Sequence, residues 1–189
     1  MVYLFNYKII IVSIMVYLLL LGFLKYYAKK SPVFLVFFTL MYIYLNMVIK
    51  YTQFPIYNDE FQKSILGPFS IEKNFNFIPL KDGFNFSSLY NIVMVIPFGF
   101  LLPLLWKVDF KKIIILGLGF SFTLEAMQAI QGIVIGYSQR SVDVNDLICN
   151  TLGAIIGYIC FYLFRLAIEK KWGDKGKKDI ILSYIIESK

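Results

Sequence analysis

The sequence predicts an all-α integral membrane protein with about five transmembrane helices. Of its 189 residues, 59% are hydrophobic and only 16% are charged, whereas soluble domains have about 45–50% apolar and about 25% charged residues. Long apolar segments recur along the chain, close to the roughly 20 residues that cross a bilayer. The cations cluster at the ends of these segments, which indicates a multi-pass protein of the cell membrane and argues against nucleic-acid binding.

Five apolar segments set the organisation of the chain, near residues 5–24, 32–49, 87–106, 113–135 and 144–165. We divide the chain into two N-terminal transmembrane helices (1–49), an extracellular loop (50–86), a three-helix core (87–168) and a basic cytoplasmic tail (169–189). The loop is rich in Asn, Phe and Pro and too apolar for a free linker. We expect it to rest on the membrane surface or to fold over the bundle. The tail is expected to lie on the anionic inner leaflet.

The distribution of lysine and arginine predicts the orientation. In an alternating five-span arrangement, thirteen of the 19 cations fall on one side: Lys25, Lys29, Lys30, Lys107, Lys111, Lys112, Arg165, Lys170, Lys171, Lys175, Lys177, Lys178 and Lys189. The other side holds Lys8, Lys50, Lys63, Lys73, Lys81 and Arg140. Because cytoplasmic segments carry the excess of basic residues, the N-terminus is predicted outside and the C-terminus in the cytoplasm.

Several kinds of chemistry are excluded by composition. The chain has no histidine, which removes histidine-dependent catalytic triads and histidine-containing zinc sites. Its two cysteines, Cys149 and Cys160, would lie ~16 Å apart on one helix and cannot bridge each other. We therefore assign no cofactor and no metal site, although carboxylates alone leave metal-assisted chemistry open as an alternative.

The third and fourth apolar segments contain candidate functional residues. Pro97, Gly99 and Pro103 are expected to break the third span and to free backbone carbonyls, or only to kink it for packing. Asn91 would lie about one turn below the outer surface. In the fourth span Glu125 and Gln128 share a helix face. Glu125 would lie ~15 Å deep, where a carboxylate is expensive and indicates either a functional site or a structural polar clamp.

The fifth segment places Asp143, Asp146 and Asn150 at i, i+3 and i+7, which predicts one helical stripe. A role as helix cap would explain Asp143 but not the two deeper residues. Gly153 and Gly157 follow at a spacing that permits close packing against a neighbouring helix. The stripe is therefore expected to face the interior of the bundle.

Seven polar residues thus belong to the outer halves of three consecutive spans. A shared, outward-facing polar pocket is the economical interpretation, with Arg140 at its mouth paired with the acids. The candidate residues are Asn91, Glu125, Gln128, Arg140, Asp143, Asp146 and Asn150.

These residues also carry a resemblance to a known family. The order N-I-x-x-x-x-P-F-G-F-L-L-P from Asn91, E-x-x-Q from Glu125 and R-x-x-D-x-x-D-x-x-x-N-x-x-G-x-x-x-G from Arg140 resembles the VanZ-like family, linked to teicoplanin resistance. The resemblance covers roughly residues 70–165 and leaves the first two spans outside. It implies a bacterial cell-envelope protein and marks the seven polar residues as the family's hallmark, without assigning them roles.

Three functions remain open. The first is a resistance or envelope-maintenance factor whose pocket binds a lipid-linked cell-wall precursor or an amphipathic antibiotic. The second is a membrane enzyme acting on a lipid-linked head group, with the acids as acid–base groups or Mg²⁺ ligands. The third, a small transporter, is disfavoured by five spans without an internal repeat.

Overall fold

The computed structural model describes residues 2–79, 81, 83–137, 140–176 and 179–188, without the side chains of 174–176. Five helical segments are long and apolar enough to cross a membrane, which confirms the predicted fold class. They are Tyr7–Tyr27, Pro32–Gln53, Phe86–Leu104, Phe110–Ile135 and Val144–Gly173. We call the end of the bundle that holds the described residues within 54–85 and 136–143 the loop end, and the opposite end, which holds the helix Ile180–Glu187, the tail end.

The described part of the chain consists of eight helices and four short strands, and side chains cap the N-termini of several of the helices. The helices are α1 (Tyr7–Gly22, continued as a π-helix at Phe23–Tyr27), α2 (Pro32–Gln53), α3 (Glu60–Leu66), α4 (Ile71–Asn74), α5 (Phe86–Leu101), α6 (Phe110–Ile135), α7 (Val144–Gly176) and α8 (Ile180–Glu187). The strands are β1 (Val2–Tyr3), β2 (Ile56–Tyr57), β3 (Phe75–Asn76) and β4 (Val142–Asp143). Ser31, Asn85 and Asp109 cap α2, α5 and α6 by accepting a hydrogen bond from a first-turn N–H, as expected for these residue types.

Helices α5 and α7 pack backbone against backbone. A Cβ at Gly99 would meet the carbonyl group of Ala154, and a Cβ at Gly153 or Gly157 would meet the carbonyl oxygens of Ile92 or Ile96. The close packing predicted for Gly153 and Gly157 is thereby confirmed. Such contact between small residues is how membrane helices gain van der Waals contact where lipid offers no hydrophobic driving force.

The third span is not broken at Pro97 or Gly99, so the expectation of a helix break there is wrong. Helix α5 runs without interruption through Pro97 and Gly99 to Leu101, and the geometry changes only at the 3₁₀ turn Leu102–Leu104, which contains Pro103. Gly99 is a packing residue, since α7 lies against it. Pro97 still lacks the N–H that would bond to the carbonyl of Val93.

Helix α1 lies at the edge of the bundle and has no buried residue. It is joined to α2 by polar contacts: Ser13 donates to Asn46 Oδ1 at 2.5 Å, and the Tyr17 and Thr39 hydroxyls lie 2.9 Å apart. Hydrogen bonds of this kind between membrane helices contribute about 0.6–2 kcal/mol each. The rest of the α1 surface is therefore available to lipid.

Hydrogen bonds hold the loop against the bundle, as expected for a loop that folds over it. Phe69 N donates to Gly136 O at 2.8 Å, and the Tyr137 hydroxyl donates to Tyr57 O at 2.8 Å. Strand β3 pairs with β4 in parallel, with Asn76 opposite Asp143. These contacts fix the loop to the segment that joins α6 to α7.

The tail also folds back onto the bundle. Helix α7 has a non-helical residue at Gly173 (φ 38°), and α8 then returns to the tail end. The Tyr184 hydroxyl donates to Leu104 O at 2.5 Å, its ring stacks on Phe37 with the centroids 5.8 Å apart, and Ile185 is buried. Burial raises the pKa of Tyr184, which keeps its hydroxyl a donor. The helix of the tail is thus docked on the bundle, while Ile180 on its other side stays exposed.

Candidate functional site

A cavity of about 800 Å³ opens at the loop end among α2, α5, α6 and the start of α7. Its wall combines a cation, an acid, amides, hydroxyls and apolar side chains. It includes Tyr51, Thr52, Ser87, Tyr90, Asn91, Val93, Met94, Gln128, Arg140, Ser141 and Asp146. Four of the seven candidate residues, Asn91, Gln128, Arg140 and Asp146, line this one cavity.

Asn91 and Asp146 form a direct hydrogen bond across the cavity wall. Asn91 Nδ2 donates to Asp146 Oδ1 at 2.5 Å. Asn91 lies in the second turn of α5 and Asp146 in the first turn of α7, so the glycine-mediated approach of these helices brings the pair together. An acid in the first turn also complements the helix dipole.

Asn150 continues this polar contact into the bundle. Ser121 Oγ donates to Asp146 O at 3.2 Å, and Asn150 Nδ2 donates to Ser121 Oγ at 2.9 Å. Asn150 is 2% exposed, and its Oδ1 has no hydrogen-bond partner among the described residues. Asn150 is therefore linked to the cavity through Ser121, which sequence reasoning missed because a lone serine in an apolar span carries no pattern.

Glu125 is placed differently from the prediction. It is 3% exposed, and its Oε2 accepts a hydrogen bond from Asp143 N at 3.1 Å. The residue lines a separate, apolar cavity of about 380 Å³ whose wall includes Phe122, Ala126 and Val142. Glu125 thus supports the β4 segment from beneath, and it is not among the residues that line the 800 Å³ cavity.

Asp143 corrects the expectation of a continuous helical stripe. It belongs to β4, and α7 begins one residue later. Its Oδ1 accepts from Asn145 N at 2.8 Å, as a capping side chain does, and from Asn76 Nδ2 at 3.0 Å. Asp143 therefore ties the loop to the start of α7, while Asp146 and Asn150 do lie on that helix.

Arg140 lies at the C-terminal end of α2. Its guanidinium donates to the carbonyl oxygens of Tyr51, Thr52 and Phe54, where the helix dipole favours a cation. The residue as a whole is exposed, but desolvation of the guanidinium lowers the pKa of Arg140 from its ordinary value; it remains protonated at neutral pH. Arg140 and Asp146 line the same cavity, while the pairing of Arg140 with the acids stays a prediction.

A cluster of glutamines completes the loop end. Gln131 Nε2 donates to Gln53 Oε1 at 2.9 Å, and Gln128 Nε2 donates to Thr52 O at 3.4 Å. Gln53 is only 2% exposed. Sequence reasoning missed it because it follows Lys50, where the apolar segment was taken to end, and α2 continues to this residue.

The described residues contain no group of three or more Cys, Asp or Glu side chains that could hold a metal ion. The acids are instead distributed: Asp146 on the cavity wall, Glu125 beneath β4, and Asp143 between the loop and α7. The arrangement offers one cation, one carboxylate and several amides and hydroxyls to a ligand in the cavity.

Five apolar helices, with polar side chains gathered at one end of the last three, define a multi-pass membrane protein. The family model described as VanZ/LLP1 matches residues 9–165, so the chain belongs to the VanZ/LLP1 family. The match begins in α1 and therefore includes the first two spans, which lie outside the region of roughly residues 70–165 that carries the resemblance. No curated protein and no solved structure matches the chain.

Proposed function

We propose that the 800 Å³ cavity at the loop end binds the polar head group of an amphiphile that reaches it from the membrane. Two kinds of amphiphile fit, a lipid-linked cell-wall precursor and an amphipathic antibiotic. Through this binding the protein would contribute to resistance to glycopeptides of the teicoplanin type or to maintenance of the cell envelope. The proposal rests on one observation: a cavity between the spans with a cation and an acid on its wall.

The size and chemistry of the cavity support this function. Sites for small molecules usually have about 300–1,000 Å³, which includes the volume observed here. Arg140 supplies a guanidinium that binds a phosphate or carboxylate group, and the Asn91–Asp146 pair offers an amide and a carboxylate to hydroxyl or amide groups. Val93 and Met94 give the wall an apolar part beside the polar one.

The predicted orientation gives the site its access. Because the positive-inside rule puts the loop end outside the cell, the cavity would open in the outer leaflet. Extracellular glycopeptides and the externally exposed head groups of wall precursors are both present there. The distribution of the cations in the sequence is the support for this step.

Arg140 variants test the proposal. We predict that Arg140→Lys weakens ligand binding about tenfold, because an ammonium group does not reproduce the planar, bidentate fork. Arg140→Ala should weaken it further, since the cation is lost. The measurements are the teicoplanin concentration that inhibits a sensitive bacterial host at equal protein abundance, and the affinity of the purified protein for teicoplanin and for a lipid-linked precursor.

Lys63→Ala is the matched control, because Lys63 is an exposed cation in α3 at the same end and does not line the cavity. It should behave as the wild type. If Arg140→Lys is as effective as the wild type in both assays, the guanidinium is an interfacial anchor, and its role in binding must be dropped.

The second candidate function is a membrane enzyme that acts on a lipid-linked head group. It is supported by two acids in different positions: Asp146 lies on the cavity wall, and Glu125, beneath β4, accepts a hydrogen bond from the Asp143 N–H. Mass spectrometry of lipids and precursors from cells with and without the protein distinguishes the two functions. An enzyme changes the covalent structure of a head group, whereas a binding protein leaves it unaltered.

A further inference from the structure

A further cavity, of about 470 Å³, lies at the tail end, the opposite end of the bundle from the cavity of the proposed function. Its wall includes Lys30 at the start of α2, Trp106 and Lys107 after the 3₁₀ turn, and Tyr184 and Glu187 of α8. Three separate parts of the chain therefore meet around it. The docking of α8 through the Tyr184–Leu104 hydrogen bond and the Phe37 stacking closes one side.

The two lysines leave this cavity with a net positive charge despite Glu187. Neither lysine forms an ion pair within the described part of the chain. Lys30 Nζ lies 4.8 Å from the centroid of the Phe34 ring, which holds the ammonium group at the cavity edge. Lys107 is exposed. The cavity thus presents two ammonium groups that ion pairing within the bundle has not neutralised.

The ends of the neighbouring spans indicate the depth of this cavity in the membrane. Lys30 precedes the span Pro32–Gln53 by two residues, and Lys107 follows the span Phe86–Leu104 by three. Both ammonium groups therefore lie where the hydrocarbon ends and phosphate groups begin. Trp106 is 66% exposed beside them, and tryptophan prefers this interfacial layer.

We propose that the tail-end cavity is a binding site for the phosphodiester head group of an anionic phospholipid from the adjacent leaflet. Lys30 and Lys107 neutralise the phosphate, Trp106 packs against the glycerol and upper acyl region, and the Tyr184–Ser188 side of α8 forms the rear wall. Basic cavities between membrane helices bind anionic head groups in this way. The site is independent of the loop-end cavity, so the proposed function can fail without affecting it.

Native mass spectrometry of the full-length protein tests the site. The protein in detergent is titrated with phosphatidylglycerol and, separately, with phosphatidylcholine of the same acyl chains. We expect tighter binding of phosphatidylglycerol. The double variant Lys30→Gln/Lys107→Gln should lose about 30-fold in affinity, because each basic residue near an anionic surface contributes about 1 kcal/mol.

Lys111→Gln/Lys112→Gln is the matched control, since it removes the same charge at the same end and neither residue lines the cavity. It should change the affinity by less than about twofold. Equal losses in the two double variants, or no preference for phosphatidylglycerol in the wild type, would overturn the proposal. Soluble glycerol phosphate is added as a competitor: displacement of the lipid at equimolar concentration would show a site for free phosphate and refute the assignment to a lipid.

Discussion

Glu125 places a carboxyl group within a membrane-spanning helix, where the residue is only 3% exposed. Among the described residues, its carboxyl accepts one hydrogen bond, from the backbone N–H of Asp143. A charged carboxylate at such a position is expensive for the fold. Its partner, Asp143, lies in β4 immediately before α7. Glu125 is thus suited to hold the β4 segment, and through it the start of the helix that carries Asp146.

We predict that Glu125→Gln preserves the amount of protein in the membrane but abolishes the proposed teicoplanin resistance. The amide oxygen of glutamine can still accept from Asp143 N, whereas it cannot carry the charge or proton of the carboxyl group. Glu125→Leu removes the acceptor and should destabilise the protein by about 1–3 kcal/mol, because the Asp143 N–H is left unpaired. Immunoblots of membranes, thermal unfolding in detergent and the resistance assay measure these effects.

The matched control is Glu72→Gln, which replaces an exposed acid in α4 of the loop and should have no effect. Full resistance of Glu125→Gln at normal abundance would mean that the carboxyl group is only a structural clamp. In that case Glu125 only supports the β4 segment, and the candidate site consists of the cavity residues Asn91, Gln128, Arg140 and Asp146.

At the scale of elements, the contact between α5 and α7 determines the geometry of the site. Gly153 faces the carbonyl oxygen of Ile92, the residue that follows Asn91. The approach of the two backbones therefore fixes how close Asn91 comes to Asp146, which lies two turns before Gly153. The packing of the two helices and the hydrogen bond at the cavity wall are consequences of the same contact.

We predict that Gly153→Ala destabilises the protein by about 1–3 kcal/mol or more, because its Cβ would meet backbone that can yield only if the helices separate. The same separation should lengthen the Asn91–Asp146 contact and weaken ligand binding. Gly119→Ala is the control: Gly119 lies in α6, and a Cβ there has nothing within 4 Å. A thermal midpoint for Gly153→Ala equal to that of Gly119→Ala would contradict the role assigned to the α5–α7 contact.

The elements also show what the sequence could predict. Runs of apolar residues specify five spans because their length must match the bilayer, and Gly153 and Gly157 predicted close packing from their spacing. The spacing of the polar residues, however, places Asp143 in the last transmembrane helix, whereas α7 begins one residue later. Asp143 instead pairs with Asn76, and local spacing does not reveal a strand partner 67 residues away. Asn76 was missed for the same reason.

At the scale of the whole molecule, the two ends of the bundle differ in chemistry. The loop end holds the cavity with Arg140 and Asp146 and a loop that is fixed to the bundle through β3 and Tyr137. The tail end holds the cavity with Lys30 and Lys107, one side of which is formed by α8. This difference between the two ends bears on function only when each end is assigned to a side of the membrane.

We predict that the loop end lies outside the cell and the tail end in the cytoplasm, because thirteen of the 19 cations fall on the tail side. The test uses a cysteine-free background, Cys149→Ala/Cys160→Ala, which replaces a buried and an exposed thiol. Glu72→Cys and Lys170→Cys, both at exposed positions on opposite ends, are then introduced one at a time. In intact cells a membrane-impermeant maleimide should label Glu72→Cys, whereas Lys170→Cys should react only after the membrane is permeabilised. Labelling of Lys170→Cys in intact cells would show that the orientation is the opposite of the predicted one. The loop-end cavity would then face the cytoplasm, out of reach of an extracellular glycopeptide.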